Sequence, residues 1–255
     1  MKSSHKTIRD RRDKIIDLLN TKTSLLVKEI SNELDVSEIT IRRDLTALEK
    51  MGLVRREHGK AMIIQKTGTE DYNEEIESLK NAIAKKAAEF VKDGDTLFIN
   101  TGSTALSSLK HLENKRVTIV TNNVKVASLD HNPNSTVILS GGEIRFPKEA
   151  LVGDIAIESF SKMSSDITII GCSGFSIENG ITTPVLHEAK INSLIIERTK
   201  DLVIVVADYR KIGFSSNFTS ANIKDINYLI TDTFASPEVI RKIEEQGVQV
   251  IQVEV

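Results

Sequence analysis

Three helical stripes and a basic hairpin lead the chain, and seven β-branched apolar runs alternating with helical stretches follow. Together they predict an α/β protein of two parts. The first is a small N-terminal winged helix-turn-helix domain over residues 1–63. The second, over residues 76–255, is a larger Rossmann-like α/β domain with a mainly parallel sheet. Residues 64–75 are predicted as the linker between them. A length of 255 residues suits two domains of ordinary size. Hydrophobic residues at 40% and charged residues at 27% exclude a disordered chain, a collagen-like repeat and a disulfide-dense secreted scaffold.

In the front part, Ile15, Leu18 and Leu19 form one apolar face. Val27, Ile30 and Leu34 form a second at i, i+3, i+7, and Ile41, Leu45 and Leu48 a third at i, i+4, i+7. Asp35-Val36-Ser37 is the turn between the second and third helices. Ser37 is placed to cap the third, with Glu38 favourable in its first turn. Gly52 is a stop signal, and Leu53 to Ile63 reads as two hairpin arms about Gly59. Residues 64–75 are polar and aperiodic. Ile76, Leu79, Ile83, Ala87 and Phe90 then mark an amphipathic helix.

The predicted strands are Thr96–Asn100, Val117–Thr121, Thr136–Ser140, Ile167–Gly171, Leu202–Ala207, Tyr228–Thr231 and Val248–Val253. Most are continuous apolar runs, such as Val203-Ile204-Val205-Val206, rather than alternating ones. That is the pattern of parallel strands covered by helices on both faces.

The net charge of −2 hides an asymmetry. Residues 1–65 hold 14 Lys/Arg and 10 Asp/Glu, which leaves 20 basic and 26 acidic residues for the remainder. A basic front on an acidic body points to a polyanion meeting the front alone. The single cysteine, Cys172, cannot close an internal disulfide, which fits a reducing cytoplasmic compartment. No apolar run approaches a membrane span, the N-terminus has no apolar signal core, and no membrane partner is expected. The five histidines show no metal-ligand spacing, and no metal or cofactor is expected.

With Ile41, Leu45 and Leu48 turned inward, Ser37, Thr40 and Arg43 fall on the outward face of the third helix, with Arg42 beside them. A recognition helix needs this division, since its apolar stripe docks on the scaffold while its early residues enter the major groove. Arg reads guanine through two hydrogen bonds, and Ser or Thr reaches bases or phosphates. Arg55, Arg56 and Lys60 on the hairpin would meet phosphates or the minor groove. The expected partner is double-stranded operator DNA.

The run Ser37–Leu45 followed by Leu48-Glu49-Lys50-Met51-Gly52-Leu53-Val54-Arg55-Arg56-Glu57-His58-Gly59 resembles the N-terminal signature of the DeoR family of bacterial transcription regulators. The resemblance extends from about residue 8 to residue 250. It implies a winged helix-turn-helix joined to a sensor domain that resembles ribose-phosphate isomerase. It further implies repression of a sugar-catabolism operon in response to a phosphorylated sugar, and assembly as a homodimer or homotetramer.

The strand turn Asn100-Thr101-Gly102-Ser103-Thr104 offers free backbone N–H groups at a helix start, with two hydroxyls to complete a phosphate cradle. A capped helix at a tight turn has the same pattern, and the resemblance favours the phosphate reading. Further candidates at predicted strand ends are Thr121-Asn122, Gly142 with Arg145, Ser173, and the loop with Asp208 and Lys211. Each resembles a family landmark, as does Thr182-Thr183-Pro184 with Glu188. Lys211 would supply charge to a phosphate and Asp208 would accept from sugar hydroxyls. His187 and Cys172 are read as structural.

The chain departs from the family pattern at Asn100 and Ser173, where many relatives carry acids, and at Lys60, where many carry glycine. Two neutral residues in place of acids imply an effector more anionic than a plain sugar phosphate, such as a phosphorylated sugar acid. The alternative is a sugar-phosphate isomerase with an appended DNA-binding module. Isomerisation needs a general base and an oxyanion stabiliser. Ser173 stands where the acid is expected and no Lys-Gly-Gly-Gly run is present, so no catalytic residue is assigned.

Overall fold

The computed structural model describes residues 5–22, 24–50, 54–57, 59–63, 69–130, 132–146 and 148–254. The chain divides into two compact units, Met1–Ile76 and Glu77–Val255. The first contains α1 (His5–Lys22), β1 (Ser24–Leu26), α2 (Val27–Glu33), α3 (Glu38–Lys50), β2 (Val54–Glu57) and β3 (Lys60–Ile63). Ile15, Leu19, Ile30, Ile41, Leu45, Val54 and Ala61 are fully buried together, so the three predicted stripes and the hairpin share one core. Ser37 caps α3 by accepting from the Thr40 N–H at 3.3 Å. Asp35 takes the left-handed conformation (φ 51°) that the tight turn before α3 requires. The predicted two-arm hairpin gains a third strand, because β1 pairs antiparallel with β3 in the order β1-β3-β2. Three residues are too short a run to show strand periodicity. The predicted stop at Gly52 lies outside the described residues.

The polar segment predicted as linker is helical in its second half. Helix α4 spans Thr69–Ala88, with Lys85 and Lys86 in its last turn, where cations complement the helix dipole. Residues 64–68 lie outside the described residues.

The second unit continues with β4 (Thr96–Ile99), α5 (Ser103–Ser107), β5 (Thr118–Thr121), β6 (Thr136–Leu139), β7 (Glu143–Arg145) and β8 (Ala150–Val152). It then runs through α6 (Asp154–Ser161), β9 (Ser165–Gly171), β10 (Gly174–Ser176), β11 (Gly180–Thr183), α7 (Leu186–Glu197) and β12 (Thr199–Val206). It ends with β13 (Phe218–Ala221), β14 (Tyr228–Asp232), α8 (Pro237–Glu244) and β15 (Gln249–Val253).

The seven predicted strands are the seven strands of one sheet, in the order β15-β14-β12-β9-β4-β5-β6, and every pairing in it is parallel. Both faces are covered. Phe98, Val120, Ile170 and Val205 point to a core shared with Phe160 and Ile195, while Leu97, Ile99, Ile169 and Ile204 point to the other, with Ile83, Leu106 and Leu109. Two small antiparallel sheets, β7-β8 and β10-β11-β13, were not legible as strands in the sequence. Because the large sheet is wholly parallel, the loops that follow its strands all gather at one edge.

Candidate functional site

The first candidate surface is α3 with the hairpin. Ile41 and Leu45 are fully buried and Leu48 nearly so, while Ser37, Arg42 and Arg43 are exposed and Thr40 is half-buried. The Ser37 and Thr40 hydroxyls lie 2.9 Å apart. Arg42 pairs with Glu38 at 3.2 Å, whereas Arg43 forms no ion pair among the described residues. Ile39, outside the buried stripe of Ile41, Leu45 and Leu48, is 80% exposed one turn before Arg43. Its only sequence signal is that it lies off the buried face.

On the hairpin, Arg55 and Lys60 are exposed. Arg56 behaves differently. It shares a strand face with buried Val54, which turns it toward α3, where its N–H and Nε bond Glu49 at 3.1 and 2.7 Å. These bonds hold the Glu49 carboxyl below the usual range. Arg56 thus braces the wing against α3. A second brace lies behind the helix: Asp44, 2% exposed, bonds Arg11 and, at 3.1 Å, Arg12 of α1.

The second candidate is the carboxyl edge of the parallel sheet. Asn100, at the end of β4, is 3% exposed and makes four hydrogen bonds within the protein. Its Nδ2 donates to Gly171 O (2.8 Å) and Asn192 Oδ1 (3.1 Å), and its Oδ1 accepts from Gly102 N and Gly171 N, each at 3.0 Å. The amide therefore locks the β4–α5 turn to the end of β9 and has no donor or acceptor left over. The two backbones touch here, since a Cβ on Gly102 would lie 2.8 Å from the Gly171 Cα. Ser103 is exposed beside this contact, and Thr104 is buried with its Oγ1 lacking any partner. Helix α5 has only five residues, so its dipole is small and the cradle depends on free N–H groups and hydroxyls.

At the end of β5, Thr121 is fully buried and its Oγ1 accepts from Asn123 N at 3.1 Å. Asn122 donates to Leu151 O at 3.1 Å and leaves its buried Oδ1 without a partner. That bond fastens the β7–β8 hairpin to this edge, and an isolated bridge from Asn123 to Ala150 adds to it. Gly142 opens the hairpin at φ 110°, with Val152 O only 2.4 Å from where a Cβ would stand, so the backbone here requires glycine. Arg145 is exposed on β7 and is not turned over the strand ends by any described contact. Lys148 reaches back from the hairpin to Glu188 at 2.8 Å, and Thr183 donates to the same carboxylate oxygen at 3.0 Å. Glu188 is 5% exposed, in the first turn of α7. Neither Lys148 nor this pairing was predicted, because 40 residues separate the partners.

At the end of β12, Asp208 is fully buried. Arg210 binds it at 2.7 and 3.0 Å, and Lys211 lies at 3.8 Å. Burial pushes its carboxyl up, but these bonds and charges outweigh burial and hold it low. Asp208 is engaged by Arg210 of its own loop. Asp232, unremarked in the sequence, ends the neighbouring β14, and burial pushes its carboxyl up despite hydrogen bonds from Tyr209 N and Phe234 N. Ser173 is half-buried, its N–H donating to Thr182 O at 3.0 Å. Burial pushes the adjacent Cys172 thiol up to about 12.

A groove of about 690 Å³, lined by Thr199, Lys200, Asp201, Thr219, Ser220 and Asn222 among others, lies where β12 begins and does not include any predicted effector residue. Among the described residues no cluster of three or more His, Cys, Asp or Glu could hold a metal ion. No helix among them is long and apolar enough to cross a membrane.

Comparison with known proteins assigns both units. The DeoR-like helix-turn-helix domain matches residues 11–67 and the DeoR C terminal sensor domain matches residues 76–233. The transcriptional regulator GolR of Listeria innocua is 33% identical over 94% of this chain and 97% of its own length. The regulator GlpR of Haloferax volcanii is 31% identical over 95% and 96%. The glycerol-3-phosphate regulon repressor of Escherichia coli is 29% identical over 94% and 96%. All three are regulators or repressors by name, and this chain is likewise a DNA-binding regulator rather than an isomerase. Matched along nearly its whole length, the chain belongs to the DeoR family of helix-turn-helix transcription regulators.

Proposed function

We propose that this regulator represses a carbohydrate-catabolism operon and is controlled by a phosphorylated sugar or sugar acid bound at the carboxyl edge of its parallel sheet. In this reading residues 1–63 read the operator and residues from 76 onward sense the effector. Helix α3 enters the major groove, Arg43 reads a guanine edge, and Thr40 and Ser37 reach a base or phosphate. Exposed Ile39 packs on a thymine methyl, while Arg55 and Lys60 meet phosphates. Arg42, already paired, contributes less, and Arg56 acts by holding the wing.

The observation that carries the effector reading is that two of the four buried polar atoms left without partners among the described residues, Thr104 Oγ1 at the start of α5 and Asn122 Oδ1 just after β5, follow the ends of adjacent strands. Buried polar groups are almost always bonded, so two orphans at one sheet edge suit a polar ligand. Exposed Ser103 and half-buried Gly102 lie beside them to meet its phosphate, with Glu188 and Lys148 across the edge. A relative that is a glycerol-3-phosphate regulon repressor supports this ligand class.

The test is fluorescence anisotropy with DNA from upstream of the protein's own operon and with scrambled DNA, at two salt concentrations. It is run with and without a pool of sugar phosphates and phosphorylated sugar acids. Selective binding that weakens with salt and shifts with the pool is expected, and Ser173→Asp should weaken the response to the more anionic members. Selective binding unmoved by the pool would refute the effector reading. Absence of selectivity against genomic fragments would refute the operator reading.

A further inference from the structure

Strand β7 is exposed at all three residues, Glu143, Ile144 and Arg145. It pairs with β8 on one side, and no described strand pairs on the other. The ribbon is anchored through β8, whose three residues are buried, so β7 stands as a supported edge with its outer side unpaired among the described residues. Nearby, β6 is the last strand of the large sheet and carries Ile138 and Leu139 at 36% and 41% exposure. An exposed apolar edge strand is a template for pairing unless something covers it. Helix α6 begins beside the end of β6: a Cβ on Gly141 would meet Ile155 at 3.3 Å, and Ser159 donates to Ser140 O at 2.7 Å. Ile155 is 63% exposed, and Phe146, directly after β7, is 72% exposed. Five of the nine large hydrophobics exposed among the described residues thus belong to β6, the β7 segment and the start of α6. Ile138 and Leu139 point to opposite faces of the edge strand, so the exposed apolar groups here frame the β7 edge from the β6 end, the β7 segment and the start of α6.

We infer that this face joins two copies of the chain about a two-fold axis, with β7 pairing antiparallel to β7 of the second copy through Ile144. The charges select this occupant. Glu143 and Arg145 carry opposite charge, lie two residues apart on one strand face, and form no ion pair among the described residues. Antiparallel pairing centred on Ile144 puts Glu143 of each copy opposite Arg145 of the other, and Ile144 opposite Ile144. A two-fold contact must be self-complementary in just this sense. A helix-turn-helix with one recognition helix per chain also needs a second copy to read paired half-sites.

Sedimentation velocity on the full-length protein across the micromolar range tests the contact, with circular dichroism to check folding. The variants are Glu143→Arg, Arg145→Glu, the double reversal, and Ile144→Asp. The wild type is expected to self-associate. Each single reversal should weaken association by about tenfold, and the double reversal should restore it to within about threefold, as direct charge pairs do in double-mutant cycles. Ile144→Asp should give monomer. If Ile144→Asp fails to fold, the two exposed charges still carry the test. A monomeric wild type would overturn the inference and leave the face to a different partner. So would association that ignores all four variants, or single reversals that dissociate without rescue by the double.

Discussion

Asp44 lies on α3 with its two oxygens bonded to Arg11 and Arg12 of α1, and Asp44→Asn removes the charge while keeping the shape. Removing one member of a fully buried ion pair costs about 3–5 kcal/mol, because the other charge stays desolvated. Asp44 is 3% exposed at its side chain and Arg11 11%, but Arg12 is 29% exposed and rehydrates in part. The loss expected in the front unit is therefore about 2–3 kcal/mol, below the figure for a fully buried pair. For a unit of this size it would lower the midpoint of its thermal transition by about 10–20 °C. The chain has no tryptophan, so circular dichroism of the full-length protein is the natural probe. Combining Asp44→Asn with Arg11→Met should cost less than the sum of the single changes, since the two side chains act as a unit. A loss under about 0.5 kcal/mol for Asp44→Asn, the range of ordinary surface substitutions, would refute the claim that a desolvated charge cluster seats α3 against α1. Strict additivity of the two changes would refute it as well.

Arg43→Ala should reduce operator affinity by about 1–3 kcal/mol and relax preference at one base pair, and Arg42→Ala should do less because Glu38 already offsets its charge. Competition anisotropy with single-base operator variants separates the two. Gly142→Ala, which forces a Cβ against Val152 O at φ 110°, should destabilise the larger unit by about 2–4 kcal/mol in urea titrations. The folded pKa of Asp208 is depressed, so its contribution to stability is present above its unfolded value and lost as pH falls through the folded one. Asp232 is raised, so its contribution is full at acid pH and lost as pH rises. Asp208→Asn should accordingly flatten the acid limb of the stability profile. With its thiol raised to about 12, native Cys172 should react with a disulfide reagent at pH 8 roughly ten- to a hundredfold more slowly than the unfolded chain, the greater nucleophilicity of its thiolate offsetting part of the lost ionisation. Equal labelling rates would contradict that burial.

Long elements were legible because one physical pattern governs their whole length. The run Val203 to Val206 must be buried on both faces, which only a covered parallel strand allows, and Ile41, Leu45 and Leu48 can share a face only on a helix. Short strands were not. Glu143-Ile144-Arg145 and Gly174-Phe175-Ser176 carry too few residues for a period to show, and their pairing is imposed by distant partners. The polar start of α4 is illegible for a related reason, since a helix without an apolar stripe leaves no periodic trace. The site divides in the same way. Ser37 as a cap follows from its residue type before a helix, whereas the engagement of Asn100 by Gly171 and Asn192 depends on which strand lies next to β4.

From the sequence alone came the two-part α/β architecture, the seven strands of the parallel sheet, the buried and exposed faces of α3 and the gathering of turn residues at strand ends. Each rests on periodicity, turn chemistry or resemblance that a local stretch of chain carries by itself. The tertiary structure alone decided the strand order. It also decided which cations are already held, Arg56 by Glu49 and Arg210 by Asp208, and left Thr104 and Asn122 each with a buried atom unbonded. These depend on contacts between residues far apart in the chain, and no local pattern encodes which distant group a buried charge will meet.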